Sequence, residues 1–178
     1  KIIGAQEPRG WTHQLENEPA LLISYEYMRR FGGNIGRNLQ IDATPSAGLS
    51  VGNVFTQGEV GITFRIGSDM LQDYGPPRIR PSLAAGGAFF EKPLSGIGWY
   101  LFAGFEGRAV ARNIFLDGNT FTSGPHVEKR NFVGDAQVGL AITVGGMRLS
   151  YTNVFRTKEF NGQPDADDFG SISASFRL

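Results

Sequence analysis

The sequence predicts an all-β protein, an antiparallel transmembrane β-barrel with about eight strands, on three observations. Apolar and polar residues alternate singly along most of the chain, which sorts side chains onto the two faces of a strand and onto no face of a helix. Several of these runs reach ~9–11 residues, the length a tilted strand needs to cross a bilayer. Short and long connections succeed one another, the pattern of a barrel with tight turns at one end and long loops at the other.

Residues 1–19, KIIGAQEPRGWTHQLENEP, do not alternate and form a polar connector; residues 20–178 supply the strands. In 20–31, Leu21, Ile23, Tyr25 and Tyr27 oppose Ser24, Glu26, Met28 and Arg30. In 38–51, Leu39, Ile41, Ala43 and Ala47 oppose Gln40, Asp42, Thr44 and Ser46; Pro45 has no N–H to donate and marks a bulge or a locally unpaired position. In 58–67, Val60, Ile62, Phe64 and Ile66 oppose Glu59, Gly61, Thr63 and Arg65. Residues 81–91 read as a weaker strand, rich in alanine and glycine. In 97–115, Trp99, Leu101, Ala103 and Phe105 oppose Tyr100, Phe102, Glu106 and Arg108. The run 132–144 leads through Gly145-Gly146, a two-residue hairpin signal, into a strand where Leu149, Tyr151 and Phe155 oppose Arg148, Ser150 and Arg156. The last run sets Ile172, Ala174 and Phe176 against Ser171, Ser173 and Ser175. Connections near 52–53, 92–96 and 145–146 are short; those at 68–80, 116–131 and 157–168 are long.

A soluble lipocalin-like barrel alternates too, with its apolar face inward. Two features favour the membrane. The polar face mixes small residues with paired charges such as Glu106 and Arg108, as a filled lumen does. The apolar face carries aromatics near strand ends (Tyr25, Tyr27, Trp99, Tyr151, Phe155, Phe176), where interfacial girdles sit.

Composition narrows the function classes. Lys+Arg and Asp+Glu are 17 each, so no global field draws the chain to nucleic acid, and an anion site must be a local cluster. Cysteine is absent, which removes disulfides, thiolate metal sites and a Cys nucleophile. The 25 glycines are about twice the usual ~7% share and suit closely packed or curved strands. No window approaches ~18 consecutive apolar residues, so no transmembrane helix is expected. No phosphate-cradling glycine loop, HExxH pattern or G-x-S-x-G elbow occurs. Arg78 and Arg80 flank Ile79 in a proline-stiffened loop and suit either lipid phosphates or a cap on the barrel mouth. Asp165, Asp167 and Asp168 read as a solvated acidic loop, His126 as a solvated side chain, and Leu116-Asp117-Gly118-Asn119 as turn chemistry.

Four stretches carry a resemblance: Gly10-Trp11-Thr12-His13-Gln14-Leu15-Glu16-Asn17-Glu18-Pro19, Ser50-Val51-Gly52-Asn53-Val54-Phe55-Thr56, Tyr74-Gly75-Pro76-Pro77-Arg78-Ile79-Arg80-Pro81 and Phe115-Leu116-Asp117-Gly118-Asn119-Thr120-Phe121. Together they resemble the lipid A deacylase (LpxR-type) family of Gram-negative outer membranes, and they are spread over nearly the whole chain. The resemblance implies a twelve-stranded barrel that hydrolyses ester-linked acyl chains of lipid A with calcium. A histidine acts as general base on water, and the cation offsets charge on the carbonyl oxygen. It also implies that the histidine, the calcium ligands and phosphate-holding basic residues lie upstream of Lys1. The chain is then a fragment, inactive alone. Glu7 is the candidate surviving active-site carboxylate; Trp11, Gln14, Asn17, Glu18, Arg78 and Arg80 are the candidate substrate-binding or supporting residues. Thr12 stands where an acidic residue or its amide is expected. The implied partners are lipopolysaccharide and outer-membrane lipids, with no nucleic acid, and a monomer is expected.

Two other functions remain open on the sequence: a non-enzymatic outer-membrane barrel, porin-like or structural, and a soluble barrel carrying a lipid inside. Parity poses a puzzle. With eight strands and a periplasmic C-terminus, residues 10–19 fall at the periplasmic end, away from outer-leaflet lipid A. Either one strand is miscounted or the segment folds into the lumen.

Overall fold

In the computed structural model, which describes residues 14–70, 93 and 96–177, eight strands form one antiparallel sheet. They are β1 (Leu22–Met28), β2 (Phe31–Ile35), β3 (Leu39–Gly52), β4 (Phe55–Ser68), β5 (Ile97–Asn113), β6 (Phe132–Val144), β7 (Met147–Arg156) and β8 (Asp167–Phe176). A one-turn helix, α1 (Ile114–Asp117), follows β5. The sheet order is β1-β3-β4-β5-β6-β7-β8, with β2 also on β3. Among the described residues no ladder joins β8 to β1, so this wall is open at both edges.

β1 and β2 are two halves of one crossing. Met28 faces Ser46 and Phe31 faces Ala43, so the register on β3 runs through the gap unchanged. The gap falls beside Pro45. The Arg29 N–H donates to the Pro45 carbonyl at 3.2 Å, so that side of Pro45 looks toward β1 and β2, and it is the side where proline lacks a donor. The other side of β3 pairs with β4 without a break, Pro45 opposite Ile62. The expected unpaired position is there, and the β-bulge lies elsewhere, between Thr56 and Gln57.

The alternation decides which face is buried. On the polar face Arg65, Arg148, Tyr100, Thr44 and Thr143 are at most 2% exposed. On the apolar face Phe132 is 80%, Ile172 74% and Val60 64% exposed. Water would penalise that arrangement by about 25 cal/mol for each Å² of apolar surface left bare. Lipid is the solvent that suits it, and a soluble barrel with an apolar interior is ruled out. The inward charges are paired, as burial demands. The Arg65 guanidinium holds Asp42 and stacks 5.1 Å over the Tyr100 ring. Arg108 and Arg156 share Asp135. A small apolar cluster, Met70, Tyr100, Phe102 and Ala141, packs beside Arg65, on the side away from Arg108. The expected aromatic girdle residues Tyr25, Tyr27, Trp99, Tyr151, Phe155 and Phe176 all point outward and are exposed.

Several boundaries differ from expectation. β5 stops at Asn113 because the Asn113 side chain accepts the Phe115 N–H at 3.1 Å and opens α1, so Leu116 and Asp117 are helical rather than a turn. β8 begins at Asp167, so Asp167 and Asp168 belong to a strand paired with β7, not to an acidic loop. The strand expected over 81–91 lies outside the described residues; in the sheet β4 pairs directly with β5, Ser68 opposite Trp99. The Gly145-Gly146 hairpin is present, with Gly145 at φ 55°.

These changes resolve the parity puzzle. With β1 and β2 as one crossing, as expected, and β4 beside β5, the described strands make an odd number of crossings. Residues 14–21 and the connections 118–131 and 157–166 lie at one end, called here the loop end. Phe176, the 145–146 hairpin and the 69–96 connection between β4 and β5 lie at the other, and the short turn after Gly52 lies at the loop end, so short and long connections are not sorted by end as the sequence led us to expect. The N-terminal segment is thus opposite the C-terminal end of β8, not beside it.

Candidate functional site

Three of the four resemblance-bearing stretches converge at the loop end, on Glu18. Its Oε1 accepts from the Thr120 hydroxyl at 2.7 Å and from Asn53 Nδ2 at 3.3 Å. Its Oε2 accepts from the Thr120 N–H at 2.8 Å, Asn119 Nδ2 at 3.1 Å and the Phe121 N–H at 3.4 Å. Five donors on one carboxylate hold residues 119–121 against the segment before β1.

Two asparagines complete the junction with both ends of their amides. Asn119 accepts the Glu16 N–H at 3.0 Å and donates to the Glu16 carbonyl at 2.8 Å, as a strand partner would. Asn53 accepts the Leu21 N–H at 2.7 Å and donates to the Pro19 carbonyl at 2.7 Å. Proline at 19 leaves its own carbonyl to be met, and Asn53 in the β3–β4 turn meets it. Arg112, at the end of β5, donates to the Asn53 carbonyl at 2.9 Å, the Gly118 carbonyl at 3.1 Å and the Thr120 hydroxyl at 2.8 Å. Gly118 sits at φ 82°, the left-handed turn that ends α1 and swings Asn119 back toward Glu16. Asp117 is held by the Asn113 N–H at 2.8 Å and Lys129 Nζ at 2.7 Å, which ties the far end of the loop to its start.

Electrostatics make Glu18 a holder, not a base. Desolvation pushes its pKa up, but the hydrogen bonds from the Thr120 hydroxyl, the Thr120 N–H, the Asn119 amide and the Phe121 N–H outweigh it, lowering the value from 4.5 to about 2. At neutral pH such a carboxylate is fully ionised and far too weak a base to take a proton from water. Glu18 therefore positions other residues.

Below this junction, toward the lumen, runs a line of charge. Asp135 accepts from Arg156 at 2.9 and 3.0 Å and from Arg108 at 3.2 and 3.3 Å. Glu159, from the 157–166 connection, stands 3.8 Å from both guanidinium groups. The two long connections are joined to each other as well, by the Lys129–Phe160 bridge and the Arg130 N–H to Glu159 carbonyl bond at 2.7 Å.

Of the residues singled out by sequence, the structure brings Glu18 to the centre of this junction. Asn17 and Gln14 precede it in the same segment and are exposed. Glu7, Trp11, Arg78 and Arg80 lie outside the described residues, as do Thr12 and His13. His126 is exposed in the 118–131 connection, its Nδ1 3.4 Å from the Gly124 carbonyl. Asn53, Asn119, Thr120 and Arg112 were not singled out. The first three stand inside the quoted stretches, so the signal was there; Arg112 gave none beyond its place at a strand end.

The described residues do not fit calcium. Among them no three His, Cys, Asp or Glu side chains are grouped to hold a metal. Calcium takes 6–8 oxygen ligands, carboxylates chief among them. The carboxylates of Glu18, Asp117, Asp135 and Asp168 already accept from protein donors.

A family model described as outer membrane protein LpxR matches residues 1–178. Among solved structures the chain is similar to LpxR from Salmonella typhimurium, with 23% identity and a TM-score of 0.77. That match covers 99% of this chain and 58% of the other, so the chain spans little more than half the length of that relative. No curated protein matches. At that identity the likeness is one of fold: the open eight-stranded sheet follows part of an outer-membrane barrel.

Proposed function

We propose, from the premise that the chain belongs to the family of outer membrane protein LpxR, that it forms part of a lipid A deacylase, a hydrolase that removes ester-linked acyl chains from lipopolysaccharide. The observation that carries the reading is the Glu18 junction. A barrel wall needs no such device, whereas an enzyme must hold catalytic groups in register, and the junction pins residues 16–19, which follow Glu7 and Trp11 in sequence, to the loop end. Two long connections, 118–131 and 157–166, leave the end that carries this junction, although the 69–96 connection leaves the other; the junction end is taken as the extracellular one, the side where lipid A lies. Calcium dependence belongs to the reading as the family resemblance implies it. The described residues do not supply its ligands.

The porin-like alternative is disfavoured by the inward face. Arg65, Arg148 and Tyr100 are at most 2% exposed, and an aqueous channel would wet them.

The test uses the full-length parent protein in the outer membrane of a Gram-negative host. Lipid A is extracted after growth or incubation with calcium and with a chelator, and weighed by mass spectrometry. Loss of one ester-linked acyl chain in the presence of calcium alone is the expected result. Unchanged lipid A from protein shown to be folded in the membrane overturns the reading in favour of a non-enzymatic barrel.

A further inference from the structure

The outward wall has a bare strip. Across β4, β5 and β6 the outward positions Gly58, Gly107, Ala109, Gly134 and Ala136 carry a methyl group or nothing. The register sets them side by side: Gly58 opposite Ala109, and Gly107 between Val60 and Gly134. They floor a trough of about 820 Å³ bordered by Val60 and Phe132. A second trough of about 600 Å³ continues it down the wall past Phe105 and Ala136, and the two share Val60, Gly107, Gly134 and Thr157.

The protein's own packing does not ask for glycine here. A Cβ at Gly58 or Gly107 would meet nothing within 4 Å, and one at Gly134 would make ordinary contact, 3.7 Å from Thr157 Cγ2. None of the three has a positive φ. Glycine inside a strand weakens it, and where no turn or internal contact requires it, it marks close approach by something outside.

The trough has a charged rim. Glu59 and Arg108, both buried, contribute to its lining, and Arg130 and Lys158 line its loop-end margin. Among the described residues neither is paired with a carboxylate: Arg130 Nε reaches Asn161 Oδ1 at 3.4 Å, and Lys158 Nζ donates to the Pro164 carbonyl at 2.8 Å. A smooth apolar channel running down a lipid-facing wall from two uncompensated cations matches a ligand with an acyl chain below an anionic headgroup.

We propose that this trough is a lipopolysaccharide-holding site, with an acyl chain of lipid A along Gly58, Gly107 and Gly134 and a lipid A phosphate at Arg130 and Lys158. It lies on the outer face of β4–β6, separate from the Glu18 junction. It rests on the loop end facing outward, and not on hydrolysis: the lipid is held there without a bond being broken.

The test is retention of lipid A by the full-length parent protein in detergent, read by native mass spectrometry with calcium chelated so that nothing turns over. Bis-phosphorylated lipid A, dephosphorylated lipid A and phosphatidylglycerol are offered in turn. One lipid A stays bound to the native protein, and the pair Arg130→Gln with Lys158→Gln weakens it about tenfold. The pair Gly107→Leu with Gly134→Leu, which fills the trough, does the same. Val138→Leu, outward but outside the trough, changes nothing, and dephosphorylated lipid A binds the native protein no better than it binds the charge variant. Three results overturn the proposal: equal retention of phosphatidylglycerol, which is an ordinary lipid annulus; a dimer that the leucine variant splits, which puts a second copy in the trough; or retention indifferent to both variants. Because the readout needs no catalysis, a failed deacylation assay leaves this result standing, and the reverse holds too.

Discussion

Arg65 grips Asp42 with two nitrogens, Nε at 2.9 and 3.1 Å from the two carboxylate oxygens and Nη2 at 2.7 Å from one of them. The pair spans neighbouring strands in direct register on the inward face. Arg30, in the gap between β1 and β2, adds a third contact at 3.2 Å, so a half-buried arginine and a fully buried one share the same acid.

Removing the acid leaves Arg65 buried and charged. Asp42→Ala is expected to destabilise the folded barrel by about 3–5 kcal/mol, the cost of breaking a buried pair from one side. Urea unfolding of the full-length protein in detergent measures it. An unchanged midpoint would mean that Arg65 finds water in the lumen and that the inward face is wetter than described.

Val138 sits at the middle of β6 and faces outward, 48% exposed. In a soluble sheet an arginine there would be almost free of cost. In a bilayer, Val138→Arg should cost about 2–4 kcal/mol at the midplane. Refolding into vesicles against refolding into a short-chain detergent gives the comparison; a neutral substitution in both would contradict the assignment of this face to lipid.

Gly139 faces inward opposite Phe102, and a Cβ there would run into the Tyr151 carbonyl and the Phe102 ring. Gly139→Ala is expected to cost about 1–3 kcal/mol through overpacking. Gly107→Ala, on the same sheet but with open space beyond it, should leave the unfolding midpoint alone. Equal effects at the two sites would show that the wall relaxes around Phe102.

The Glu18 carboxyl should titrate near 2 in the folded protein, followed by carbon NMR of a segmentally labelled chain. Its folded pKa is below the ordinary 4.5, so the junction is fully held above about 4.5 and is lost as pH falls through about 2. Glu18→Gln should loosen residues 119–121, seen as faster exchange of the Thr120 and Phe121 amide protons, while leaving the unfolding midpoint of the barrel in place. A carboxyl that titrates at its ordinary value would mean that the five donors are not engaged in solution.

The strands were legible because a period of two needs nothing but neighbours in sequence: Val60, Ile62, Phe64 and Ile66 sort themselves from Glu59, Thr63 and Arg65 without knowledge of any partner. Which face is buried is harder to read, because lipid and protein interior are both apolar to a lone strand; paired charges such as Glu106 and Arg108 and aromatics near strand ends pointed to lipid, and the exposure of Phe132 and the burial of Arg148 bear that out. The sheet order was not legible in the same way: one segment cannot show that β4 pairs directly with β5, and the break at Arg29 and Arg30 inside the run read as one strand is set by Pro45 on another strand. The junction was half legible. Glu18 stood out with its neighbours, but its partners Asn119 and Thr120 are more than a hundred residues away in sequence, and no spacing rule reaches that far.

The same distance gives the junction a mechanical meaning. Residues 16–21 and 118–121 are bonded carboxylate to amide and amide to backbone, so a displacement of one is resisted by the other. Anything that grasps the outer connections, whether an antibody, a phage tail or a neighbouring sugar chain, pulls through Glu18 on the stretch of chain that precedes it. The barrel mouth is in that sense a lever, and a load on its rim is delivered to residues that lie nowhere near the rim in sequence.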